Sequence, residues 1–67
     1  MNKQKFKSIL ALNGETQKSL AEYLKMSETT LSLKISGRAD FSRVEIKEIK
    51  EKFNLTANDL DEIFFNQ

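Results

Sequence analysis

The chain contains no cysteine, no histidine, no proline and no tryptophan. Each absence closes off a class of chemistry. Without cysteine there is neither a disulfide to staple the fold nor a thiolate nucleophile. Without histidine, zinc sites of the finger type and histidine-based acid or base catalysis are excluded, and no metal or cofactor is expected. The lack of proline is consistent with a nearly all-helical chain, because proline removes a backbone donor and clashes inside a helix. No apolar run approaches the ~20 residues of a membrane span. The N-terminal MNKQKFK lacks the apolar stretch of a signal peptide, so a cytoplasmic location is expected.

What remains is a short, polar, helix-forming sequence. Sixty-seven residues allow one domain, 1–67, with a thin core, which calls for well-capped helices or oligomerisation. The spacing predicts five helices and an all-α fold. The first spans about 2–13, with Phe6, Ile9, Leu10 and Asn13 on one face and Gly14 as its stop. Lys5 and Lys7 flank that stripe and are expected to point outward. The second spans 16–24, with Thr16 as its cap and Leu20, Ala21 and Leu24 on one face. The third spans 27–36, capped by Ser27, with Met26 and Leu31 at the spacing of a hydrophobic staple and Gly37 closing it.

The fourth helix, 43–53, has the clearest start: Ser42 and Glu45 have capping-box spacing, and Phe41 and Ile46 bracket the same cap as a staple. It buries Ile46, Ile49 and Phe53, and Asn54 can stop it. Thr56 with Asp59 and Leu55 with Leu60 repeat the pattern for a fifth helix, 57–65, whose inner face is Leu60, Ile63 and Phe64. The expected core joins these apolar positions to Phe6, Ile9, Leu10, Leu20, Ala21, Leu24, Met26, Leu31, Ile35 and Leu55.

The residues Thr16, Gln17, Leu20, Ala21, Leu24, Met26, Ser27, Leu31, Ser32 and Gly37 resemble the helix-turn-helix of the Cro and lambda-repressor family of phage and bacterial regulators. With the flanking helices the resemblance covers roughly residues 2–65. It implies a compact five-helix DNA-binding domain in which helices 2 and 3 form the helix-turn-helix. The third helix is then the recognition helix, set in the major groove of a double-stranded operator.

At about 100° per residue, Leu31 and Ile35 facing the core leave Thr29 and Leu33 pointing away from it, with Glu28 and Ser32 beside them. Ser27, Glu28, Thr29, Ser32 and Leu33 are therefore the candidate base contacts. The hydroxyls donate or accept, Leu33 can pack on a thymine methyl, and Glu28 can accept from a cytosine amino group. Glu28 equally complements the helix dipole. By resemblance, Thr16 and Gln17 at the start of helix 2 and Arg38 and Arg43 around the following loop contact the DNA backbone.

Three positions depart from the family pattern. Lys25 stands where the family usually has glycine. A left-handed lysine costs about 1 kcal/mol, which predicts a turn of different shape. Lys34 replaces a large apolar residue, so its stem is expected along the core edge with its ammonium in solvent. Leu33, opposite the core face, is either a methyl contact to a base or part of a protein-binding patch. Val44 and Phe65 also fall off the buried stripes, making them candidates for an oligomer or partner interface. Relatives of this type commonly dimerise through their C-terminal region.

Net charge is only +1, but it is unevenly placed. Residues 1–43 hold eight basic and four acidic side chains, and residues 44–67 hold three basic and six acidic ones. A basic half orients such a chain on a polyanion. Two functions are expected from this sequence: a sequence-specific transcription regulator of the phage or prophage repressor or Cro type, or a phage antirepressor that uses the same fold to bind a repressor protein. An enzyme is not expected, since the hydroxyls have no histidine or cysteine partner and no convergent carboxylates.

Overall fold

The computed structural model describes residues 1–65 and is all-helical, with no strand among those residues. The elements are α1 (Lys3–Leu12), α2 (Gln17–Tyr23), α3 (Glu28–Ile35), α4 (Arg43–Phe53) and α5 (Ala57–Leu60). The last continues as a π-helical turn, Asp61–Phe65. Principal extents of 27 × 25 × 21 Å are nearly isotropic, so the helices wrap one centre.

Every helix starts on a side-chain cap. The side-chain oxygens of Asn2, Thr16, Ser27, Ser42 and Thr56 accept from the backbone N–H three residues on, at 3.0–3.1 Å. Each such cap contributes about 1 kcal/mol, a large share for so small a core. Ser42–Glu45 and Thr56–Asp59 are reciprocal capping boxes, as their spacing predicts. A third box joins Thr16 to Ser19, whose hydroxyl accepts from the Thr16 N–H at 2.9 Å.

The helix ends are closed in one recurring way. After α1, Gly14 takes φ +68° while Glu15 N–H donates to Leu10 at 2.8 Å and Gly14 N–H to Ala11 at 3.1 Å. This is a Schellman closure. The same pair of bonds follows α2 around Lys25, α3 around Gly37 and α4 around Asn54. Lys25 thus adopts φ +60°, the left-handed conformation itself. The expected change of turn shape does not occur, because Met26 N–H donates to the Ala21 carbonyl at 2.9 Å and holds the chain there.

The core contains Phe6, Leu10, Leu20, Ala21, Leu24, Leu31, Ile35, Ile49, Phe53 and Ile63. Ile9, Met26, Leu55 and Phe64 pack against it half-buried, together with Met1 and Phe41. Ile46 and Leu60 are likewise only half-buried. The rings of Phe6, Phe41 and Phe64 meet with centroids 5.3–6.2 Å apart in tilted and edge-on contacts, geometries that suit aromatic quadrupoles.

Ion pairs sew distant segments together. On the first helix, Lys5 bonds Glu62 and lies 3.5 Å from Asp59, so it faces the C-terminal segment rather than solvent as its position beside the apolar stripe suggests. Beside it, Asn2 N–H donates to the Ile63 carbonyl at 2.8 Å. The Lys34 ammonium is also drawn in, donating to Glu45 at 2.6 Å with its side chain 15 % exposed. Its stem follows the core edge as expected, but a carboxylate replaces the solvent. Lys52 lies 3.6 Å from Glu15 and 4.3 Å above the Tyr23 ring, joining α4 to α2 and the loop before it.

Candidate nucleic-acid interface

α2 and α3 are packed neighbours joined across the Lys25–Met26 turn. Leu20 and Ala21 of α2 and Leu31 and Ile35 of α3 are buried, so the remaining faces of both helices turn outward. On α3, Glu28, Thr29 and Ser32 are exposed and Leu33 is 40 % exposed. The Thr29 and Ser32 hydroxyls and the Glu28 carboxylate make no side-chain hydrogen bond among the described residues. Ser27 is different. Its hydroxyl caps α3 through Thr30 N–H and donates to the Thr30 hydroxyl at 3.0 Å, so it builds the helix start rather than standing free.

Thr16 is similarly occupied by its capping box with Ser19. Gln17, half-buried at the first position of α2, has no side-chain partner within the described residues. The loop after α3 is anchored by Arg38 and Ala39 N–H groups, both donating to the Leu33 carbonyl at 3.0 and 3.2 Å. Arg38 and Arg43 are exposed, and among the described residues no carboxylate lies within ion-pair reach of either. Glu28, Thr29, Ser32, Gln17 and the two arginines therefore share one property: their side-chain polar groups are unmatched among the described residues.

The ion pairs sharpen the charge pattern. They remove Lys5, Lys34 and Lys52 from the free cations and Glu15, Glu45, Asp59 and Glu62 from the free anions. Hydrogen bonding by Ser19, followed by the Lys52 charge, holds Glu15 below the usual carboxylate range. Burial alone pushes Glu45 up, but bonds from Lys34 and Ser42 outweigh it and leave the pKa lowered. Asp59 is lowered by Thr56, Glu62 by Lys5, and the Glu62 bond raises Lys5 in turn. Lys18 and Lys25, two further cations on α2 and its turn that are exposed and unpaired among the described residues, belong to the same free set, although no motif singles them out.

Phe65 belongs to the C-terminal turn. It is 63 % exposed and lines a groove of about 480 Å³ with Met1, Gly37, Ala39, Phe41 and Phe64. Val44 is 65 % exposed but does not line that groove, and neither does Leu33. Comparison with protein-family models, with curated proteins and with solved structures finds no match to this chain.

Proposed function

We propose that this chain is a sequence-specific DNA-binding transcription regulator of the phage or prophage repressor or Cro type, with α2 and α3 as its helix-turn-helix and α3 in the major groove. The observation that carries the reading is the outward face of α3: two free hydroxyls, Thr29 and Ser32, beside the Leu33 methyls, on a helix whose start is fixed by Ser27. Hydroxyls and methyls are the groups that read base edges. Gln17, Arg38 and Arg43 supply backbone contacts around it, which position the protein without reading sequence. Phe65 and its groove give a second copy an apolar seat, and a two-fold dimer would set two α3 helices about one DNA turn apart.

Fluorescence-anisotropy titration of the purified protein against the intergenic DNA beside its own gene, at two salt concentrations, tests the proposal. The expected result is specific binding that survives non-specific competitor and weakens steeply as salt rises. A folded protein that binds no such duplex overturns it. A second reading, a phage antirepressor that binds a repressor protein, is favoured by two features of α3: the exposed Leu33 side chain and the exposed Glu28 carboxylate, which phosphate repels. That reading predicts capture of the neighbouring repressor, weak salt dependence and a selective loss in Leu33→Ala.

A further inference from the structure

The sequence divides into a basic and an acidic portion, and α4 belongs to the acidic one. The structure redistributes that charge. Of the acids in 44–65, Glu45, Asp59 and Glu62 are turned into ion pairs within the chain, whereas Arg43, Lys47 and Lys50 are all exposed with no carboxylate in ion-pair reach among the described residues. At about 100° per residue these three cations fall within about 60° of one another on α4. The helix buries Ile49 and Phe53 on a neighbouring face. Glu45 and Lys52, which hold Lys34 and Glu15, lie on the opposite flank. The row Arg43–Lys47–Lys50 therefore faces away from α4's internal ion pairs. Glu51 is the nearest carboxylate by phase, and it is exposed as well.

We infer that this row is a phosphate-contacting track that extends the DNA backbone contact of Arg43 up α4. The inference rests on the DNA-binding reading above and adds two positioning residues to it, Lys47 and Lys50. Two observations select DNA as the occupant. The row is continuous with the candidate interface, since Arg43 is the first residue of α4 and follows the loop that Leu33 anchors. Its charge is of one sign and regularly spaced, rising about 10 Å over seven residues at about 1.5 Å each, a length over which one DNA strand presents about three phosphates. Lysine suits this role because its ammonium is a mobile point charge that needs no fixed geometry. Because the row climbs away from the loop, its contribution falls from Arg43 to Lys47 to Lys50.

Salt-dependent anisotropy with duplex DNA from beside the gene tests the track, using the full chain and Lys47→Ala, Lys50→Ala, the double variant and Lys7→Ala. All four replace an exposed lysine by a good helix former, and unchanged thermal melts verify folding. Losing a phosphate contact flattens the slope of log K against log salt by about 0.9. The expected result is a flattening approaching that value for Lys47→Ala, a smaller one for Lys50→Ala, the largest for the double variant and none for Lys7→Ala. Wild-type binding whose slope is unchanged in the double variant overturns the track while leaving the DNA-binding reading intact. Absence of any wild-type DNA binding overturns both. Loss confined to capture of a repressor protein, with DNA binding unaltered, reassigns the row to an acidic protein surface and equally overturns the proposal.

Discussion

The outward face of α3 and the seam between α1 and the C-terminal segment draw on similar residues and use them in opposite ways. At the seam, Lys5 meets Glu62 and Asp59, Asn58 donates to Glu62 at 3.1 Å, and the Asn2 N–H meets Ile63. On α3, the Glu28, Thr29 and Ser32 side chains have no hydrogen-bond or ion-pair partner among the described residues. Polar groups matched internally specify which elements lie together; those left unmatched are what the molecule offers a partner. Five experiments break or sharpen that contrast.

The largest effect is expected from Ile63→Ala, which empties a fully buried position beneath the seam. A loss of about 2–4 kcal/mol, read by urea denaturation, is most of what a domain this small commonly has. A cost below about 1 kcal/mol would show that the site collapses freely and that the seam depends little on packing. Ser42→Ala removes one half of the α4 capping box and is expected to lower stability by about 1 kcal/mol in the same assay. Lys25→Gly should move the other way, by up to about 1 kcal/mol, because glycine takes the left-handed conformation without a Cβ penalty, less what its looser unfolded chain gives back.

Acid should weaken the molecule through its ion-paired regions. Glu15, Glu45, Asp59 and Glu62 have lowered folded pKa values. Their stabilisation is therefore fully present above the ordinary carboxylate range, about pH 4, and is lost as pH falls through the lower folded values. Lys5 is raised, so its share holds below about pH 10 and fades only as pH rises through its folded value. A thermal midpoint that falls between neutral and mildly acidic pH, well above that range, would contradict this assignment. The smallest stability effect belongs to Ser32→Ala, expected within about 0.5 kcal/mol of wild type. The same change should lower discrimination between the operator and a mismatched duplex in an anisotropy competition.

Much of the helical framework can be read from the chain because its signals are local. Ser42 with Glu45, Thr56 with Asp59, and Gly14, Gly37 and Asn54 mark starts and stops by chemistry that acts within one turn. Ser19 escapes such reading because a hydroxyl at the third position does the work normally sought in glutamate or glutamine. Lys25 escapes it because lysine disfavours the conformation it holds; the bonds of Met26 and Lys25 itself to α2 impose it. The ion pairs of Lys5, Lys34 and Lys52 join residues on separate elements, so no spacing rule reveals them. The π-helical turn is a change of hydrogen-bond register within a sequence that reads as ordinary helix. For the candidate interface, exposure follows from helical phase, whereas the basic flank of α4 emerges only once Glu45, Asp59 and Glu62 are seen to be engaged elsewhere.

The bond from Asn2 to Ile63 makes almost the entire described chain a single closed loop. In a fold whose other backbone hydrogen bonds span a few residues, that closure carries the largest loss of chain entropy, and its reward arrives only after the intervening helices have formed. The seam is therefore a late event in folding and an early one in local opening. Amide exchange at Asn2 would report the fraying of this clasp, while the amides inside α2 and α3 would report loss of the whole fold.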